Sequence, residues 1–223
     1  GSWYKSILTT TGKVNGYMMA GIPDGLGIFD NYDGTFTMVS NQELGNTQGA
    51  THAWGSKGSF VSKWIIKKSD LSVVYGGDLT QKVFLWNPLT SSYVAYNAAS
   101  PSANAAFSRF CSADLAPVSA YYNAATGLGT QERIFLDGEE SGDEGRAMAH
   151  ILTGVNAGNS YELPAIGKFS HENEVANPAT GDKTVVGGMD DATPGQVYFY
   201  IGTKTNSGTE IEKAGLTNGT VWG

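Results

Sequence analysis

"GLGIFDNYDGTFTMVSN", residues 25–41, is the stretch that sets the fold. Two extended runs flank Asp33-Gly34, and Asp-Gly is the dipeptide that most readily supplies the backbone of a tight hairpin turn. Outward from this hairpin the same grammar recurs. "SFVSKWIIKK" (59–68), "LSVVYGG" (71–77) and "KVFLWNP" (82–88) follow. Later come "ERIFLDG" (132–138), "KTVVGGMD" (183–190) and "QVYFYIGTK" (196–204). Each run is short, rich in β-branched and aromatic residues, and bounded by turn formers. Thirty glycines and an 11% aromatic content agree with many tight turns between strands. The expected fold class is therefore all-β, with evenly spaced strands in a sheet-repeat architecture such as a β-propeller, or in a sandwich, with long loops and little helix. No domain boundary interrupts residues 1–223, so the expectation is a single domain.

The exceptions are few. "SADLAPVSAYYNA" (112–124) places Leu115, Val118 and Tyr122 at helical spacing with Asp114 as cap, and predicts a helix. "EGRAMAHILTG" (144–154) reads either as a second helix or as the returning strand of a hairpin. Asn87 to Ala106, rich in Ser, Ala and Asn, reads as a long loop. Gly1-Ser2 resembles a cloning remnant, compatible with a signal peptide removed upstream.

Composition narrows the partners. Fourteen basic against 21 acidic residues give a formal charge of −7, with no basic stripe, which argues against nucleic acid. No apolar run approaches the ~20 residues of a membrane span. The single cysteine, Cys111, cannot form an intrachain disulfide; it serves as apolar filler or as a soft ligand.

The residues that could carry chemistry are mostly acidic and mostly lie at the ends of apolar runs. "FLDGEESGDEGRAMAH" (135–150) packs Asp137, Glu139, Glu140, Asp143 and Glu144 into eight positions, with Arg146 alone nearby as a positive charge. Asn41 and Glu43 close the first hairpin on one face of its strand. Asp190 and Asp191 close another run, and "GKFSHENEVA" (167–176) supplies His171, Glu172 and Glu174. Such groups either sit in solvated turns or converge on a hard cation. No EF-hand, P-loop, zinc pairing of the three histidines or G-x-S-x-G elbow occurs. The glycines of "GIPDGLG" (21–27) read as turn geometry rather than a phosphate cradle.

Taken in order along nearly the whole chain, these segments resemble the PhoX-type alkaline phosphatases, secreted bacterial enzymes with a β-propeller fold and an iron-and-calcium site. "GIPDGLGIFDNYDGTFTMVSNQE" is similar to the family's opening hairpin. "RFCSADL" followed by "GLGTQERIFLDGEESG" is similar to its metal-binding cysteine, Gly-Thr step and Glu-Glu pair. "GKFSHENEVA" and "GGMDDATPGQVYFYIG" are similar to two later segments. The resemblance implies a β-propeller or part of one, with residues 1–223 as a single propeller-like domain or a fragment of a longer propeller. The function it implies is a metal-dependent phosphomonoester hydrolase, or its N-terminal part, secreted or periplasmic. It implies Cys111 as an iron ligand and Glu43, Glu139, Glu140, Glu172 and Asp191 as metal-site residues for iron and calcium. Asn41 and Arg133 are the candidates at the reacting phosphate, with Arg146 a second candidate clamp. Two departures stand out: Gln42 occupies a position where the family usually has His, and no later blades follow "AGLTNGTVWG" (214–223), so the remainder of the propeller is in trans or missing from this chain. The competing expectation is a calcium-stabilised extracellular scaffold or adhesive module without catalysis.

Overall fold

The computed structural model describes residues 4–101 and 103–223; the Gly1-Ser2 pair, and Ser102 within the expected loop, lie outside them. Strands dominate, in three sheets that follow one another along the chain. A ribbon of β1 (Lys13–Val14) and β2 (Tyr17–Met18) precedes the first sheet. That sheet is the antiparallel meander β3 (Ile22–Asp30), β4 (Thr35–Glu43), β5 (Phe60–Lys67) and β6 (Val73–Asp78). The β3–β4 hairpin is the one read from residues 25–41. Gly34 adopts φ 90°, which its turn requires and an L side chain resists.

The second sheet opens with the hairpin β7 (Lys82–Asn87) and β8 (Ser92–Ala95), then β9 (Phe110–Asp114). After the small ribbon β10 (Tyr122–Asn123) and β11 (Leu128–Gly129) come β12 (Ile134–Glu139), β13 (Ala147–Ile151) and β14 (Asn159–Glu162). Its order is β8-β7-β14-β13-β12-β9, with β7 joined to β14 in parallel. The third sheet is the meander β15 (His171–Ala176), β16 (Lys183–Asp190), β17 (Val197–Thr203) and β18 (Thr220–Trp222). One short helix, α1 (Glu210–Lys213), precedes β18 and is capped reciprocally by Thr209 and Glu212. Among the described residues, no helix is long and apolar enough to cross a membrane.

The sheets stack as three layers, and the sequence shows why. β12 is buried on both faces: Ile134 and Leu136 enter the core shared with the third sheet, whereas Phe135 enters the core shared with the first. The apolar run "RIFL" is what a strand between two layers demands. β16 and β17, by contrast, bury only alternate residues such as Thr184, Val186 and Tyr200.

Two expectations need correction. Phe110–Asp114 and its sequel form no helix. The segment is an extended edge strand, and only a 3-10 turn at Val118–Ala120 follows, directly after Pro117. Pairing of β9 with β12, together with packing against the neighbouring sheets, outweighs a helical periodicity that Pro117 already weakens. The 87–106 segment is not all loop, because β8 returns along β7 within it. Of the two readings of residues 144–154, the strand is observed.

Candidate metal centre

The strands β3, β9 and β15 each lie at the edge of their sheet, and β9 packs against both of the others. Glycine permits that approach. A Cβ on Gly25 of β3 would sit 2.5 Å from the Cβ of Ala113 on β9. One on Gly138 of β12 would sit 2.4 Å from the Cβ of His171 on β15.

Each edge pairing also carries a register shift. These fall between Pro23 and Leu26 against β4, between Asp137 and Glu139 against β9, and between His171 and Asn173 against β16. A bulge breaks strand alternation and re-aims side chains. Here the three bulges lie beside Asp24, Glu140 and Glu172, all of which join one acidic cluster.

That cluster has two halves. Ligand atoms of Asp24, Glu43 and Cys111 lie within 4.8 Å of one another, and so do those of Glu140, Glu172 and Asp191. The halves are joined by the Cys111 thiol, which donates to Glu140 Oε2 at 2.7 Å. They are joined again by Arg109, whose Nε reaches Glu43 Oε1 and whose second terminal nitrogen reaches Glu140 Oε1, each at 2.8 Å. Ser112 donates to Glu172 Oε1 at 3.2 Å.

Burial and crowding set the electrostatics. Burial pushes the Cys111 thiol well above its ordinary range; hydrogen bonding to Glu140 and the charges of Glu140 and Glu43 add to this, and Arg109 opposes it. Burial likewise raises Glu172, and the charges of Glu140, Asp191 and Asp24 push it further against the Ser112 hydrogen bond. Asp24 is raised by burial and then by Glu43. Without a cation the carboxyls of Asp24 and Glu172 thus resist ionisation, as expected where like charges converge.

The residues named from sequence divide clearly. Glu43, Cys111, Glu140, Glu172 and Asp191 come together. Asn41 is fully buried beside them: its amide donates to Cys111 O at 2.9 Å, tying β4 to β9, and its side-chain oxygen has no partner. Glu139 does not join. It turns to the other side of β12, where Arg146 donates to its two oxygens at 2.6 and 3.1 Å and the Ser108 N–H donates at 2.9 Å.

Arg133 lies at the far end of β12, roughly 20 Å of extended chain from Glu140, with its guanidinium over the Phe29 ring. Arg146 is committed to Glu139, the Asn104 carbonyl and the Phe107 ring. Gln42 donates to Ser40 Oγ and Ser62 Oγ, neither of them a cluster residue.

The remaining acids of the 137–144 run are separated in the same way. Asp137 meets His150 at 2.9 Å, Glu144 meets Lys168 at 2.7 Å, and Asp143 is exposed. Two cluster residues escaped the sequence reading. Asp24 sits at the β3 bulge, which alternation cannot anticipate. Arg109 has φ 53°, a left-handed conformation that no motif announces.

A solved structure of Pseudomonas fluorescens PhoX, described as in complex with vanadate, a transition state analogue, superposes with a TM-score of 0.50 at 13% identity. The match covers 90% of this chain and 45% of PhoX. The likeness shows the fold. The chain is all-β with a PhoX-like, partly propeller-like architecture, and it spans less than half of the PhoX chain. No protein-family model matches the sequence, and neither does any curated protein.

Proposed function

We propose that this chain carries part of the metal centre of a phosphomonoester hydrolase of the PhoX type. The observation that carries the reading is the joining of two three-residue ligand groups through the Cys111–Glu140 contact, at the inner edge of a PhoX-like fold. The donor set fits the metals in question. A thiolate with carboxylates suits iron, and oxygen-only donors suit calcium. Cys111, Glu43 and Asp24 would hold the softer ion, while Glu140, Glu172 and Asp191 would hold the harder one.

Such ions supply Lewis-acid charge that neutralises phosphate oxygens. The chain's own contribution is positioning. Asn41 fixes the backbone of β9 beneath Cys111, and the bulges aim three carboxylates at one place. Arg109 is the arginine at the cluster, so the clamp role expected of Arg133 passes to it in this reading.

Elemental analysis of protein purified without chelator tests the proposal. Iron together with calcium is expected, and Cys111→Ser should lose the iron and keep the calcium. Calcium alone, in both proteins, would instead favour the scaffold. Hydrolysis of p-nitrophenyl phosphate by the iron-and-calcium form, blocked by vanadate, is the matching activity assay.

A further inference from the structure

We infer that Arg109 is a built-in surrogate cation, holding the metal centre together when it is empty and displaced when metal binds. The inference rests on the metal-centre reading above and concerns how that centre is gated.

The guanidinium is the only basic group paired to the cluster among the described residues, and it bridges one carboxylate from each half, Glu43 and Glu140. It therefore does what a shared cation would do, neutralising two carboxylates of different ligand groups at once. An ion in either group competes with it for the same oxygens. Arg146 marks the contrast. Its side chain is 15% exposed and makes two contacts to one carboxylate plus one to a carbonyl, whereas that of Arg109 is 48% exposed and makes single contacts to two acids. The first is a fixed pair, and the second can open to solvent at little cost.

The backbone explains how the side chain can leave without disturbing the site. The Arg109 N–H donates to Leu44 O and its carbonyl accepts from the Glu140 N–H, which pins the residue between the ends of β4 and β12. Its φ of 53° is a conformation rarely tolerated outside glycine and is kept where surrounding contacts impose it. The hinge is then the side chain alone.

The sign of one experiment separates this role from simple support. If Arg109 competes with the cation, Arg109→Gln lowers thermal stability in chelator yet tightens calcium binding, by up to about fivefold when one surface-exposed bridge no longer has to be broken. If Arg109 only props the carboxylates in place, the same variant weakens calcium binding or leaves it unchanged. Calorimetric titration of calcium into the 223-residue protein and into the variant reads the difference.

Arg109→Lys, which keeps a charge but loses the bidentate reach, should fall between the two and covers the case in which the glutamine variant does not fold without calcium. In the wild-type protein the Arg109 Nε–H resonance should be protected from exchange in chelator and lose that protection as calcium is added. A wild type that binds calcium with a glutamine variant, or failing that a lysine variant, that binds no tighter overturns the gating and leaves the metal centre standing. If neither protein binds calcium or iron, the centre and the gating fall together.

Discussion

Glu139 and Glu140 are adjacent in sequence and meet different partners: Arg146 in a largely buried pair for the first, and Cys111 with Arg109 for the second. Their amides should therefore behave differently. Glu139→Gln leaves Arg146 with a buried, half-compensated charge and should cost on the order of 2 kcal/mol, whether or not calcium is present. Glu140→Gln should cost less than ~1 kcal/mol in chelator, because it also removes a repelling charge, but should abolish the rise in melting temperature that the proposed centre predicts for the wild type in calcium. Calorimetry of both variants with calcium and with chelator checks this, and equal calcium responses would remove Glu140 from the site.

Glu172 offers a test through pH. Burial, and then its acidic neighbours, raise its carboxyl, so the folded protein holds that proton more tightly than the unfolded chain does. The associated stability is complete below the ordinary carboxyl range near pH 4 and is lost as pH climbs through the raised value. Asp30, Asp33 and Asp70, whose carboxyls are lowered by hydrogen bonds from Lys68, Thr35 and Ser72 respectively, slope the other way. Only the difference from Glu172→Gln isolates the effect. In chelator the wild type should lose ground to that variant as pH rises, and calcium, which the proposed centre would bind with Glu172 ionised, should reverse the trend. A pH-independent difference would mean that Glu172 is an ordinary solvated acid.

At the scale of strands, the sequence was readable wherever strand propensity and turn chemistry acted alone. The 25–41 hairpin, the meander through residues 59–77 and the strands at 183–190 and 197–203 are visible because short runs rich in β-branched and aromatic residues alternate with turn formers. Legibility failed where tertiary contact overrode local preference. Phe110–Asp114 has helical neighbours in sequence but is drawn out as an edge strand by β12. The cluster was half legible for the same reason. Glu43, Cys111, Glu140, Glu172 and Asp191 lie in quotable segments, but Asp24 is aimed by a bulge, and choosing between Glu139 and Glu140 required the register shift at Asp137/Glu139.

Close approach of the edge strands is what makes that aiming possible, and it depends on absent side chains. Gly25→Ala would force a Cβ to within 2.5 Å of the Ala113 backbone nitrogen and should destabilise the fold by about 1–3 kcal/mol. Gly187→Ala on β16, where the nearest atoms lie at 3.8 Å and φ is not positive, should be close to neutral. Urea unfolding of the two proteins, read beside calcium affinity, should show the first losing both stability and binding. A Gly25→Ala protein as stable as wild type would mean that β3 and β9 need not approach so closely.

Across the whole molecule, the middle sheet is covered on both faces, and the third sheet has the composition to be covered on both as well. Its inward residues Val186 and Tyr200 are buried in the core. On the outward face the register aligns Met189 with Val197 and places Val175, Gly187, Phe199 and Trp222 in one row. Of these, Val175, Met189, Val197, Phe199 and Trp222 are exposed, as is Ile201 beside them. On the first sheet, Ile22, Leu26 and Ile28 are exposed along β3. Contiguous apolar rows of this kind are uncommon on a free surface, and stacked blades are the architecture that covers them. The 223-residue chain should accordingly bind a hydrophobic fluorescent dye in its folded state, at a temperature well below its melting transition. Phe199→Lys, which alters a residue 51% exposed, should cut that binding while shifting stability by no more than ~0.5 kcal/mol. Val186→Lys, one residue away along the adjacent strand but facing inward, should instead unfold the sheet. Dye binding that is absent from the wild type, or unchanged in Phe199→Lys, would show that the outward face of the third sheet is not the open apolar surface its register describes.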